Sequence, residues 1–284
     1  MKRKVIEFNV RLAALAITPL TILGQYSVSC APPPVGPYPT GQCDTLTAGL
    51  PGLNSSVTPT NTRQIGTSVQ SRAIHAEYWG QSNAAKVVIV IAQVHGNECA
   101  PSLVTEAIRQ SPPSDYGIWL IPTLNPDGYA AYTRANANGV DLNADGYYRS
   151  QPETQALMAF TAEVRPVLSV HVHSPNGFAG WYGTGTYQPG NPVGSGAPLS
   201  SRIARDVAAA AGLSYSGAGS RTGTNWFLWQ GQRAVWPSQE SVLVELHAIS
   251  NSEVPNANPR PATRSVATVR SEAQALLTAI DAAL

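Results

Sequence analysis

The feature that most restricts what this chain can fold into is a recurrence of short apolar runs: Val87-Val88-Ile89-Val90-Ile91, Ile118-Trp119-Leu120-Ile121, Val167 to Val172 and Val242-Leu243-Val244. Each is too short for a helix and lacks the alternation of a strand with one wet face, so each reads as a strand buried on both sides. Helical patterns lie between them. Leu103, Val104, Ala107 and Ile108 recur at helical spacing after the first run, and Ser150 to Val164 opens with Ser150 and Glu153 at capping-box distance and a proline in the first turn. Glu153 is accordingly expected to be a cap rather than a catalyst. Leu199 to Ala211 is stopped by Gly212, and Ala262 to Leu284 makes an amphipathic closing helix. The turn Asn125-Pro126-Asp127-Gly128 begins a long loop that runs to about Arg149. The alternation gives an α/β fold: a single domain over residues 63–284, with a mixed, mainly parallel central sheet flanked by helices on both faces.

The residues before it read differently. Residues 30–62 are rich in Pro, Gly, Ser and Thr and form a linker or arm. Residues 1–29 read as a signal peptide: Lys2, Arg3, Lys4 and Arg11 precede an apolar run from Leu12 to Leu23, and Ser27-Val28-Ser29 offers a small-x-small cleavage pattern. Its removal takes away four basic residues and one acidic one, moving the formal net charge from +1 to −2. The expected location is secreted, periplasmic or cell-surface. Charged residues make up only 12 % of the chain, so there is no basic field to attract nucleic acid, and no stretch reaches the ~20 apolar residues of a transmembrane helix. Of three cysteines, Cys30 and Cys43 could close a small loop, while Cys99 reads as a small buried hydrophobe. A lipid anchor at Cys30 is disfavoured, because Ser27 stands where a lipobox wants Leu.

The chemistry-bearing residues fall at strand ends. His95 and Glu98 come just after the first run, His173 closes the third, and Glu245 follows Val242–Val244, so three segments deliver ionisable groups to the edge of an α/β sheet where ligands bind. Two imidazoles and a carboxylate, with room for a water, suit a catalytic zinc site, and a second carboxylate, Glu245, suits its base. Alone, His95-x-x-Glu98 is a weak signal; its setting in a Gly-containing turn between strand and helix strengthens it. His171 is expected on the opposite face of the sheet from His173, hydrogen-bonded in the core, and His75 and His247 at the surface or in structural roles. No G-x-S-x-G elbow occurs, which disfavours a serine hydrolase.

The segments Gln93-Val94-His95-Gly96-Asn97-Glu98, Asn125-Pro126-Asp127-Gly128-Tyr129, Arg134 through Asn143 (RANANGVDLN) and His173-Ser174 resemble the signature segments of the zinc carboxypeptidases of the carboxypeptidase A type, in order from about Ile65 to Leu246. The resemblance implies one Zn²⁺ per chain held by His95, Glu98 and His173, with Glu245 as general base, Arg134 on the scissile carbonyl and Asp141 supporting a zinc-bound His. It makes Asn143 a holder of the substrate's terminal carboxylate. The family usually has Arg next; here Ala144 removes that planar two-donor fork, which weakens the expectation of a C-terminal exopeptidase. Arg149 and Arg221 are possible substitutes. Tyr215 is a candidate for the family's substrate-side Tyr, with Tyr182 and Tyr187 competing.

These readings together describe an exported zinc metallohydrolase cleaving a peptide or amide bond. The short RANANGVDLN loop is similar to that of murein-peptide amidases, which points to cell-wall peptides. The alternatives are a zinc deacylase of small N-acylated amino acids and a non-catalytic surface-binding protein that retains the metal site.

Overall fold

The computed structural model describes residues 42–43, 57–182, 199–216, 228–253 and 263–284. The expectations on the signal peptide, Cys30, Tyr187, Arg221 and most of the arm lie outside the described residues, as does the side chain of Tyr182.

Eight strands form one sheet: β1 (Asn61–Thr67), β2 (Ala73–Gly80), β3 (Val87–Ile91), β4 (Gly117–Ile121), β5 (Leu168–His173), β6 (Asn176–Tyr182), β7 (Ser214–Ser216) and β8 (Glu240–His247), in the order β1-β2-β4-β3-β5-β8-β6-β7. The four apolar runs of the sequence are its centre. There β4, β3, β5 and β8 lie side by side and parallel, while β2 joins β4 and β6 joins β8 in antiparallel fashion. Seven helices accompany them among the described residues: α1 (Pro101–Gln110), α2 (Pro126–Ala131), α3 (Leu142–Asp145), α4 (Pro152–Val164), α5 (Leu199–Ala211), α6 (Leu228–Val235) and α7 (Val266–Ala283).

Side chains of successive strand residues point to opposite faces. Val88, Val90, Val170, Val172, Val242 and Val244 pack with α1, α5 and α7 on one face, and Ile89, Ile91 and Ile121 pack with α4 and α6 on the other. Both faces are thus covered, as expected for a largely parallel sheet. Truncating a buried isoleucine such as Ile89 in this setting costs about 2–5 kcal/mol, so the sheet is a stiff frame for whatever its edge carries.

Several expectations need correction. The stretch after Gly128 is not all loop, since α2 and α3 fold within it. Helix α4 starts at Pro152, with Gln151 as its N-cap, and there is no capping box: the backbone N–H and hydroxyl of Ser150 donate instead to Asp145 (3.0 and 2.6 Å). Glu153 is buried and accepts from the Val69 N–H and the Asn136 amide, both at 3.1 Å. Helix α7 begins at Val266, where the Ser265 side chain accepts from the Thr268 N–H. Cys43 pairs with Cys99, not Cys30, in a disulfide with Cα atoms 5.0 Å apart. His247, by contrast, is structural as expected, its ring 2.7 Å from the carboxylate of Glu272 on α7.

Candidate metal centre

The strand order places a switch point between β3 and β5: after β3 the chain adds β4 on one side and then returns to add β5 on the other. Open α/β sheets bind ligands outside the carboxyl ends of strands at such a point. In register, Ile91 pairs with His171, so His173 stands just beyond the end of β3, level with the turn that carries His95.

That turn is shaped by backbone contact. A Cβ on Gly96 would lie 1.9 Å from the Gly128 carbonyl carbon, so no other residue fits without moving the backbone. The Asn125 side chain fixes the facing loop by accepting from the Gly128 N–H (2.9 Å) and donating to the carbonyls of Val94 (3.3 Å) and Arg134 (3.4 Å). Asp127 is buried and accepts from the Ser68 hydroxyl, the Gln70 N–H and Arg72. The next loop is wound around Asn136, whose side-chain oxygen accepts from Asn138 and Val140 N–H while its amide donates to Gln151 and Glu153. This loop ends on Asp141, the N-cap of α3.

His95, Glu98 and His173 converge, each no more than 3 % exposed. His95 Nδ1 lies 2.6 Å from Glu98 Oε1, His173 Nδ1 lies 3.0 Å from Glu98 Oε2, and the two Nδ1 atoms are 3.2 Å apart. A tetrahedral ion with bonds of about 2.0–2.1 Å separates its ligands by about 3.3 Å. Two imidazole nitrogens face each other here across a carboxylate in a buried site, and two facing lone pairs need a cation or a shared proton between them. The donor set and spacing therefore fit one zinc ion. On its far side, His95 Nε2 lies 3.0 Å from Asp141 Oδ1; donation there fixes the tautomer that turns the Nδ1 lone pair inward.

The charges agree with this geometry. Burial disfavours a proton on His95, yet Glu98 and Asp141 hold its pKa up at about 9 in the absence of metal. Burial would raise Glu98, but His95 and His173 keep it well below the usual carboxylate range, and His95 and Arg134 do the same for Asp141. The carboxylates are ionised, as ligands and their supports must be.

Arg134 reaches the cluster: its Nε donates to Asp141 Oδ2 (2.9 Å) and its Nη1 to Glu98 Oε1 (3.3 Å), with 55 % of the side chain open to solvent. Glu245 lies opposite His173 in the parallel register of β5 and β8, so both side chains leave the same face of the sheet on adjacent strands. Asn143, two residues past Asp141, accepts the Leu228 N–H on its Oδ1 (3.2 Å) and so holds the start of α6. Arg149, in a left-handed backbone conformation, lines a cavity of about 560 Å³ with Tyr147, Tyr148 and Gln230.

Two residues are placed differently from expectation. His171 and His173 share one face, because side chains two positions apart along a strand always do. What separates them is depth. His171 sits further into the sheet, 2.8 Å from the Gln232 amide oxygen on α6, and burial followed by the charge of His173 pushes its pKa down to about 3, so it is neutral. Tyr215 is not brought to the cluster. It is level with Ala179 and Val244, which face α5 and α7, and its hydroxyl lies 3.5 Å from that of Ser201 on α5, whereas Glu245 and His173 face the other way.

A buried carboxylate that sequence reading misses lies behind the cluster. Glu253 closes a 3-10 turn (Asn251–Glu253), is 1 % exposed, and accepts from Ile249 and Ser250 N–H on one oxygen and from Cys99 N–H and the Ser174 hydroxyl on the other. Burial pushes its carboxyl above the usual range, against these donors, which favour the ionised form. A lone Glu in the stretch Ile249-Ser250-Asn251-Ser252-Glu253 carries no motif that could have marked it.

A mixed α/β sheet with a His-Glu-His cluster at its switch point is an arrangement that comparison with known proteins can test. Residues 55–148 match the model of the zinc carboxypeptidase family, Peptidase_M14; the matched stretch includes His95, Glu98, Arg134, Asp141 and Asn143 and stops before His173 and Glu245. Among characterised relatives, murein peptide amidase A of Escherichia coli K12 is 29 % identical over 163 residues, covering 46 % of this chain and 66 % of that protein. Carboxypeptidase SOL1 of Arabidopsis thaliana is 38 % identical over 64 residues, covering 19 % of this chain and 13 % of that protein. The chain thus spans less than two thirds of either relative. Carboxypeptidase A of Helicoverpa armigera has the same fold, with a TM-score of 0.61 at 18 % identity, covering 85 % of this chain and 71 % of that one.

Proposed function

We propose that the protein is an exported zinc-dependent hydrolase that cleaves a peptide or amide bond, with cell-wall peptides as the substrate class. The observation that carries this is the convergence of His95, Glu98 and His173 beside Glu245 at the switch point of the sheet. A zinc ion held there would supply Lewis-acid polarisation of the scissile carbonyl and of water. Glu245, in the strand beside His173, takes the proton of the attacking water and passes it to the leaving amine. Arg134, held at the cluster rim by Asp141, offers its guanidinium to the oxyanion that develops on the carbonyl. Asn143 has its oxygen engaged by α6, so its NH₂ is the part that meets a substrate carboxylate.

Export is supported by the Cys43–Cys99 disulfide, a bond that persists in oxidising compartments, together with the basic and apolar N-terminal pattern. Cell-wall peptides are supported by the likeness to murein peptide amidase A.

The test is turnover of murein-derived peptides against N-acylated amino acids by wild type and by Glu245→Gln, with zinc content measured on both. Hydrolysis of the peptides, lost by about 10²–10⁴-fold in the variant while its zinc is retained, is the expected result. Exclusive turnover of N-acylated amino acids would assign the deacylase reading instead, and no turnover at full zinc occupancy the non-catalytic one.

A further inference from the structure

Three separate segments bring ionisable groups to the cluster, and each must be held to within a fraction of an ångström for a metal to be bound tightly. His95 and Glu98 sit on the turn into α1, His173 ends β5, and Glu245 lies on β8. The turn after β8 joins all three. Glu253 Oε2 accepts from the Cys99 N–H, one residue past Glu98 (3.1 Å), and from the Ser174 hydroxyl, one residue past His173 (2.6 Å). Its Oε1 accepts from the Ile249 and Ser250 N–H groups (2.7 and 3.0 Å), on the chain that continues from β8. Ser174 is also tied forward: its N–H donates to Glu98 Oε2 at 3.3 Å, the same oxygen that faces His173. The main chain of Glu253 takes part as well, accepting from the Asn97 amide at 3.0 Å.

The donors to the carboxylate itself are backbone N–H groups and a hydroxyl, arranged so that each oxygen receives at least two. A carboxylate is the only side chain of this length that accepts on both oxygens. An amide in its place must aim its NH₂ at one set of those donors, leaving buried N–H groups without acceptors on either the β8 side or the ligand side.

We propose that Glu253 is a positioning residue of the metal centre: by binding the residues next to Glu98 and His173 and the chain beyond Glu245, it locks the two ligand-bearing segments and the strand that carries Glu245 into one frame. The proposal rests on the reading of His95, Glu98 and His173 as the metal ligands. Groups that orient metal ligands typically change metal affinity by 10–100-fold when removed, and Glu253 acts one step further out, so the lower end of that range is expected.

The test compares Glu253→Gln, Ser174→Ala and wild type, with Tyr116→Phe as a control that breaks a hydrogen bond to Asp281 far from the cluster in the fold. Zinc affinity is measured by chelator competition, the visible spectrum after cobalt substitution reports ligand geometry, and thermal unfolding of the apo protein reports general stability. Glu253→Gln should weaken zinc binding about tenfold and alter the cobalt spectrum, Ser174→Ala should do so to a smaller extent, and Tyr116→Phe should lower stability with zinc affinity and spectrum unchanged. If Glu253→Gln does not fold, Ser174→Ala alone decides. Wild-type zinc affinity and cobalt spectrum in Ser174→Ala or a folded Glu253→Gln overturn the proposal. A parallel weakening in Tyr116→Phe overturns it too, since the effect is then one of stability. Absence of zinc binding in wild type refutes the ligand assignment itself, and the proposal with it.

Discussion

Replacing Asp141 by Asn is the sharpest probe of how the cluster is supported. The carboxylate of Asp141 receives His95 Nε2 at 3.0 Å, Arg134 Nε at 2.9 Å and the Asn143 and Ala144 N–H groups at 2.9 and 3.4 Å. An amide keeps one acceptor. If that oxygen stays on His95 and the helix N-terminus, the NH₂ faces the Arg134 guanidinium, donor against donor. Arg134 is more than half exposed, so its lost bond is screened and contributes roughly 0.5–1 kcal/mol. The larger effect runs through His95: without the anionic partner its ring is a poorer ligand, and zinc affinity should fall by about 10–100-fold, or about 1.4–2.8 kcal/mol. Chelator competition reads this directly. Hydrolytic rate at saturating zinc should fall further if Arg134 acts as proposed, because its Nε loses the carboxylate that holds it at the cluster rim. A zinc dissociation constant within about threefold of wild type would refute the reasoning, since it would mean that Asp141 orients only the loop.

His173→Ala should abolish tight zinc binding, while His171→Ala should retain it and lose stability by about 1–3 kcal/mol as the buried Gln232 oxygen is left unpaired; stoichiometric zinc in the first variant contradicts the assignment. Ala144→Arg restores a guanidinium beside Asn143 and should raise kcat/KM on free-acid peptides over their amides by about 10–100-fold; an equal effect on both shows that position 144 does not face the carboxylate. Reducing Cys43–Cys99, which closes a separation of 56 residues, should cost about 4 kcal/mol and lower Tm by about 8–16 °C; a shift under about 3 °C contradicts this.

Much of the frame is legible in the sequence because it is built from unbroken apolar runs, and β3, β4, β5 and β8 fall where those runs fall. The strands that are not legible break that rule for physical reasons. In β2, Glu77 sits mid-strand yet is buried, its charge met by Arg109 at 2.5 and 3.0 Å and by the Trp79 indole N–H at 3.0 Å, partners that no local pattern announces. Ser150 has the spacing of a cap but is already taken by Asp145. The pairing of Cys43 with Cys99 depends on where the arm returns, which composition cannot say. The convergence of His95, Glu98 and His173 is legible because ionisable residues at the ends of apolar runs stand out; Glu253 is not, because a carboxylate that receives backbone N–H groups needs only a fold to aim them.

The pairing of His173 with Glu245 has a consequence for how such a site tolerates change. Their separation across β5 and β8 is set by the sheet's own hydrogen bonds, which hold neighbouring strands about 4.8 Å apart whatever the connecting chain does. Insertions, deletions or whole-segment grafts between the two strands should leave His173 and Glu245 at the same spacing, so the intervening chain can change while this pair is kept. A one-residue slip of β8 would do the opposite, turning Glu245 to the far face and parting the pair with every side chain still present.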